Sequence, residues 1–392
     1  MSVNTLGIEQ AYTLIAALHN QATGKTALAP TTPADFISVA NATLQAGYDA
    51  VLQAVTQVVS KTMIAVRPYD RKFKGLEWSA ERWGGITRKI SFGDIGPGPD
   101  PTYALQNWQS VDQFVVKMPD VLETHYYGSD VYMGGYTIFT KQLDVAFSGP
   151  EEFAAFISGL MTHMSNEREA WLESLARQLI ANAIAAQFDI DEVDKIHHLV
   201  YDYNQATGLS LTTTTVKQPS NFPAFCKWAY GYINNISRQM TERSQQFQVV
   251  ITGHDIYRHT PREEQRAYFA ADLLSGMTAE VLADTYHDNF LSLADVEGVG
   301  FWQSIETPDE IKCTPVYIDS SAAVKVAGAA VDVTDVAGIL FDRDAIGYNI
   351  KDYSIEVSPY NAMGQYYNIF QHMNVQLCSD FTEKMCVFTL QD

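Results

Sequence analysis

The chain has 392 residues, 46% of them apolar, which is longer than one ordinary domain and enough to bury a sizeable core in one large, lobed fold. Its 26 Lys and Arg against 46 Asp and Glu give a net charge of -20, which argues against a groove that tracks nucleic-acid phosphates, because such surfaces are basic. No run of about 18 apolar residues occurs, and residues 1–20 hold no Lys or Arg, so neither a membrane span nor a secretion signal is expected.

In chain order, residues 7–22 carry Ile8, Tyr12, Ile15 and Leu18 at helical spacing. Thr31 or Thr32 ahead of Pro33 starts a second helix, whose apolar face (Phe36, Val39, Leu44, Val51, Val55 and Val58) extends over 33–60 and weakens at Gly47. TMIAVRP (62–68) reads as a short strand. These helices are rich in Ala and Thr and offer little large apolar surface, so residues 1–75 read as an N-terminal arm on a larger body. Residues 67–92 hold Arg67, Arg71, Lys72, Lys74, Arg82, Arg88 and Lys89, with Trp78 and Trp83 between them. Basic and aromatic side chains together suit nucleic acid. In so acidic a chain they fit better with acidic neighbours, in the same chain or on another copy, and a solvated charged face is the remaining reading.

GDIGPGPDP (93–101) has three Gly and three Pro in nine residues and is an exposed, pliant loop. It is no phosphate cradle: GK[ST] is missing, and each Pro removes an amide donor. ITRKISF before it and VDQFVVKMPDVLETHYY after it look like strands, and VYMGGYTIFTKQLDVAF continues in partial alternation. Residues 85–147 therefore read as one extended β-hairpin with an insertion. Two strands cannot bury themselves well, so the hairpin needs a surface to lie on.

Residues 150–187 form the clearest helix. Ser148 is placed to cap it, Pro150 sits in its first turn, and Glu151 completes a capping-box spacing. Phe153, Phe156, Ile157, Leu160, Met164, Trp171, Leu172, Leu175, Leu179 and Ile184 form one apolar stripe. Unbroken, the helix would span roughly 55 Å, with a kink allowed near Ser165–Asn166. FDIDEVDK (188–195) closes it, 207–222 is a Thr-rich connector, and 223–240 is another helix. FQVVITGHDIY (247–257) reads as a buried strand and turn, 261–284 as helix-rich, and 291–321 and 328–345 as strands and turns. The mixture argues for an α+β lobe. From Gly338 the chain reads GILFDRDAIGY, then the alternating IKDYSIEVSPYN, then GQYYNIFQHMNVQLCSDFTEKMCVFTL: a strand, an acidic turn, a second strand and a final amphipathic strand. That last strand ends near Asp392, so its partners must lie earlier in the chain.

Candidate chemistry is sparse. Cys226, Cys313, Cys378 and Cys386 form no CxxC and read as free thiols of a reducing compartment, with Cys378 and Cys386 in phase for one face of a strand. His254 and His259, near Asp255, Glu263 and Glu264, are five apart, whereas a helical metal pair wants i, i+4. His197 and His198 beside Asp194 are adjacent and do not converge on a helix. Asp342 and Asp344 would share one side of a strand, as paired carboxylates for acid–base work do, although a turn of solvated acids is the commoner reading. No GxSxG elbow, Cys–His motif or dinucleotide fingerprint occurs. No catalytic, cofactor-binding or metal residue is expected.

The order of elements resembles the major capsid proteins of tailed phages, the Hong Kong 97-like fold, particularly the head proteins of small short-tailed phages. The arm, the hairpin, the long helix SGPEEFAAFISGLMTHMSNEREAWLESLARQLI, the strand GILFDRDAIGY and the closing YYNIFQHMNVQLCSDFTEKMCVFTL carry the likeness. It implies an N-terminal arm (1–75), an E-loop (76–147), a peripheral domain with a spine helix (148–244), an axial domain (245–345) and return strands of the peripheral domain (346–392). It further implies a structural protein of the virion, assembled in the host cytoplasm. Its copies would form pentamers and hexamers of an icosahedral shell around double-stranded DNA, with a portal and a separate scaffold protein as partners and no membrane or cofactor. An acidic wall would then repel packed phosphates. Some members crosslink subunits through Lys, Asn and Glu. Lys89, Lys117 or Lys141 with Asn349 or Asn361 near Glu356 are the residues available, though no motif selects them. No decoration domain is expected after Asp392. Two alternatives stand beside this one: an encapsulin-type compartment of the same fold, and an acidic cytoplasmic hydrolase using Asp342, Asp344 or His254.

Overall fold

A computed structural model describes residues 8–24, 30–44, 69–78, 86–96, 100, 102, 105–190, 193–284 and 296–392. The second helix beyond Leu44, the strand expected at 62–68, Arg67, Arg82 and Trp83 lie outside the described residues. Two N-terminal helices, α1 (Ile8–Thr23) and α2 (Pro33–Leu44), precede the strands β1 (Ile86–Phe92), β2 (Val121–Tyr127) and β3 (Asp130–Phe139). A short α3 (Thr140–Ala146) leads to the long α4 (Pro150–Ile190), which begins with Glu151 and Glu152 where the helix dipole favours acids. Then come β4 (Ile196–His198), α5 (Leu199–Thr207), α6 (Thr213–Val216), α7 (Phe222–Thr241), β5 (Gln265–Ala270) and α8 (Ala271–Asp284). Nine strands among the described residues follow: β6 (Val296–Val299), β7 (Ile311–Cys313), β8 (Val316–Ile318), β9 (Lys325–Ala327), β10 (Val331–Val333), β11 (Val336–Asp342), β12 (Ile346–Val357), β13 (Tyr366–Ser379) and β14 (Met385–Thr389).

A five-stranded sheet, β4-β14-β11-β5-β6, lies at the centre. Its strands turn side chains to two cores, alternating except at a bulge between Val336 and Gly338 of β11. Met385 and Val387 of β14 face one, and Cys386 and Phe388 face the other. Ile339 and Phe341 of β11 face the first, and Ala337 and Leu340 the second. The second core is covered by α5, α7 and α8 through Val200, Phe225, Ile233 and Leu273. Being buried on both faces, β11 reads in sequence as a continuous apolar run.

α4 ties the molecule together because its two halves enter different cores. Phe153, Ile157 and Met164 pack with Ile15, Leu18 and Phe36 of the N-terminal helices and with Tyr367 and Ile369 of β13. Leu172, Leu175, Ile180 and Ile184 pack with the central sheet and with Ile346 and Tyr348 of β12. At 1.5 Å per residue its 41 residues span about 60 Å. β13 crosses the same boundary, with Tyr367 and Ile369 in one core and Met373 and Val375 in the other.

Four expectations need correction. First, the expected hairpin over 85–147 includes only β1 and β2. β3 pairs along β13, from Tyr366↔Phe139 to Val375↔Asp130, and the chain then turns into α3. Gly128, at φ 85, makes the turn between β2 and β3, and the apolar side of β3 belongs on α4, where Tyr132 lies 4.2 Å from Trp171 between ring centroids. Second, 247–257 is buried at Phe247, Val249 and Ile251 but forms no strand. Phe247 has φ 69, and its carbonyl and the Val249 N–H bond singly to Met385 and Phe381. Third, the final amphipathic strand is two strands in different sheets, separated at Asp380–Lys384, so Cys378 and Cys386 do not share a strand. Fourth, the helix-rich segment 261–284 opens with the strand β5, whose alternation (Ala267 and Phe269 to one core, Tyr268 to the other) is that of a sheet. At the start of α4, the Ser148 hydroxyl donates to the carbonyl of Val145 at 2.6 Å.

Candidate assembly surface

β1 and β2 are antiparallel from Ile86↔Tyr127 to Phe92↔Val121, and the Gly93 N–H to Asp120 carbonyl bond, 2.7 Å, closes the pair. Two strands alone are marginal in water, and charge fixes this pair to the body. Lys89 Nζ lies 2.9 Å from an Asp380 oxygen and 2.6 Å from a Glu383 oxygen. Arg258 reaches the same Glu383 oxygen at 2.5 Å, and its guanidinium donates to Ser91 and Thr382. Asp380 has no exposed side-chain surface, and Glu383 and Arg258 are nearly as buried. Burial works against the Lys89 ammonium, but Asp380 and Glu383 together hold its pKa above the ordinary lysine value. Burial likewise pushes Asp380 up, and Lys89 with Thr382 outweighs it, keeping that carboxyl below the ordinary range. At Glu383 burial prevails over Lys89 and Arg258, and the pKa rises. Two cations against two anions leave the cluster neutral, the condition for burying such groups. Arg243 and Asp94 add an exposed ion pair at the far end of β1.

Beyond this anchorage the hairpin turns apolar side chains to solvent. Trp108 is fully exposed, and Phe114, Val116 and Met118 are 81%, 80% and 79% exposed. Phe92, Ile95, Val115, Tyr127, Val131 and Met133 are exposed as well. The stretch 111–120, expected to be a strand, has no regular structure. Asp112 turns the backbone by accepting the Phe114 N–H at 2.9 Å, and Pro119 lacks an amide donor. Monomeric proteins rarely expose contiguous apolar patches of this kind, which mark surfaces that another molecule covers.

Among the described residues of the basic cluster, Arg71, Lys74, Arg88 and Lys89 pair with acids of the same chain. Arg71, itself buried, binds Glu169 of α4 at 2.8 Å and also Glu77. Tyr69 donates to Glu173, which Arg177 also holds at 2.7 Å. Lys74 pairs with Asp70, and Arg88 with Glu123, both on the surface. Lys72 donates to the Gly298 carbonyl, and Trp78 to that of Arg343. Segment 69–78 is therefore fastened to α4, and these residues present no basic face to nucleic acid.

The residues considered for chemistry stay apart. His254, Asp255 and His259 lie on loops, the latter two exposed, and among the described residues no group of three or more His, Cys, Asp or Glu could hold a metal. His197 and His198 sit on β4. His197 stacks on Phe388 and meets the Tyr232 hydroxyl, burial lowers its pKa, and His198 bonds Thr389. Asp342 and Asp344 do not share a face: β11 ends at Asp342, which is buried and accepts from Thr260 at 2.6 Å, while Asp344 is exposed in the turn. Burial raises the Asp342 pKa. All four cysteines are free, and burial raises the thiol pKa of Cys378 to about 12. Of the residues considered for crosslinking, Lys89 is held in its ion cluster and Asn349 is buried, whereas Lys117, Lys141, Asn361 and Glu356 are exposed. Arg258, on the loop ahead of β5, and Asp380 and Glu383, in the β13–β14 turn, escaped sequence reading, because charged residues in loops look the same whether solvated or enclosed.

A family model described as the Phi29-like phage major capsid protein matches residues 15–389. Among solved structures, the capsid of Staphylococcus phage Andhra aligns with a TM-score of 0.55 at 9% identity, covering 84% of this chain and 86% of that one. A chain from the structure of the head fiber and inner core protein gp22 of native bacteriophage P68 aligns with a TM-score of 0.50 at 9% identity, covering 82% and 85%. At such identities the likeness is one of fold. No curated protein matches significantly.

Proposed function

The chain belongs to the Phi29-like phage major capsid protein family and is a structural protein of the head shell, and from that premise we propose that its copies form pentamers and hexamers closing into an icosahedral shell around double-stranded DNA. Family membership sets aside the encapsulin-type compartment and the acidic hydrolase, and it supports a structural rather than an enzymatic role. In this reading the arm is 1–75 and the E-loop, expected over 76–147, ends with β2, because β3 and α3 belong to the body. The peripheral domain is 148–244 with α4 as its spine, the axial domain 245–345 faces the capsomer axis, and 346–392 returns to the peripheral domain. A portal and a separate scaffold protein join the copies during assembly in the host cytoplasm. The packaged DNA meets the wall without sequence preference, and the net charge of -20 keeps phosphates from adhering to it.

The observation that carries this reading is the hairpin: its base is locked to the body by a buried ion cluster, while its outer segment holds Trp108, Phe114, Val116 and Met118 in water. A neighbouring copy covers that segment in the shell. The test is to replace 95–119 by a two-residue turn joining Asp94 to Asp120. Gly93, Asp94 and Asp120 keep their contacts, so the subunit is expected to unfold at the wild-type denaturant midpoint yet form no particles. Unchanged particle formation would refute the role given to the segment.

A further inference from the structure

Between the β1–β2 hairpin and the body lies an open groove of about 780 Å³. Leu122 and Tyr126 of β2 line it on the hairpin side, Val324 and Lys325 where the turn enters β9, and Leu179 of α4 and Phe381 on the body. Its two sides are fixed by separate sets of bonds. Lys89 holds the hairpin through Asp380 and Glu383. β8 is clamped to α4 at Asn182, which donates to the Val316 carbonyl at 3.0 Å and accepts the Val316 N–H at 2.7 Å, and the Tyr317 hydroxyl donates to Asp189 at 2.7 Å. The groove is therefore held open, and its lining is mainly apolar. Preformed clefts of several hundred Å³, apolar with a few polar groups, are the usual form of a small-molecule site.

The charges at the groove select the head of the ligand. Glu123 is already engaged, by Arg88 at 3.1 Å and by His125 at 3.3 Å. Lys325 is exposed and pairs with no carboxylate among the described residues. Among the described residues lining the groove, the charge left for a ligand is thus a cation beside an apolar surface. We infer that the groove binds a single-chain amphiphile with an anionic head, a free long-chain carboxylate, with the head at Lys325 and the chain against Leu122, Leu179 and Phe381. Each methylene withdrawn from water adds to the affinity, and the lysine chooses anion over cation. All of these residues belong to one chain, so the site is complete in the unassembled subunit and its fate is separate from that of the shell.

Cys313 provides the test. It lines the groove and is half-buried, whereas Cys226, Cys378 and Cys386 are buried. Its alkylation by a maleimide, located by peptide mass, therefore reports occupancy. The probe is dodecanoate below its micelle concentration, added to the full-length unassembled subunit, with dodecanol, dodecyltrimethylammonium and anionic phospholipid vesicles as the other arms. Well above its Kd, dodecanoate is expected to slow Cys313 alkylation about tenfold, by mass action. Dodecyltrimethylammonium and the vesicles should leave the rate unchanged. Unfolding by a surfactant would expose the thiols and speed alkylation, so slowing separates binding from denaturation. Lys325→Glu should raise the dodecanoate concentration for half-protection about tenfold and leave that for dodecanol where it was. Val324→Asp, at an exposed position on the groove, should weaken both. No protection by dodecanoate, equal protection by the cationic analogue, or protection indifferent to Lys325→Glu would overturn the site. Protection by the vesicles alone would overturn it in favour of a membrane surface.

Discussion

Lys89 shows how one side chain positions a functional element. Its ammonium bridges two buried carboxylates that belong to the turn between the last two strands, so the hairpin is tied to the end of the chain. Removing one partner of a buried charge cluster leaves the others uncompensated, which is worse than never having placed them there. Lys89→Met is therefore expected to lower the stability of the unassembled subunit by about 3 kcal/mol in urea unfolding. A loss below about 0.5 kcal/mol, the range of an exposed pair, would mean that the cluster is solvated. Arg71 does the same for segment 69–78, joining it to Glu169. Arg71 and Lys89, two charges of the apparent nucleic-acid patch, thus act as internal fasteners.

Among the elements, α4 is the frame on which two of the three cores are built. Its stripe was legible from spacing alone, because ten apolar residues at three-to-four intervals over 150–187 have no other simple reading. Spacing could not rank them. Trp171 is only half-buried, its ring tilted against Tyr132, while Leu172 is wholly enclosed. Leu172→Ala should cost about 2–5 kcal/mol in subunit stability, and Trp171→Ala less. The reverse order, read from paired unfolding curves, would show that the stripe is misplaced by one position. The strands were harder to place because alternation identifies a strand without naming its partner. DVYMGGYTIF and VLETHYY look equally ready to pair, yet one joins β13 and the other β1. VDQFVVKM looks like either and pairs with neither. The ion cluster was illegible for a different reason: Lys89, Arg258 and Glu383 are far apart in sequence, and only the fold brings them together.

The whole molecule is a subunit with a packed apolar interior and a hairpin that leaves apolar side chains in water. Three well-packed cores, buried free thiols and neutralised internal charges account for a stable body. The exposed apolar residues between 92 and 133 are accounted for only by a neighbour. Membership of a phage capsid family supplies that neighbour as another copy of the chain. The most direct measurement is sedimentation velocity, with electron microscopy of the same sample, on the purified protein at high concentration. Megadalton shells or capsomer-sized oligomers are the predicted result. A single stable species of 43.6 kDa that persists as concentration rises would contradict the account.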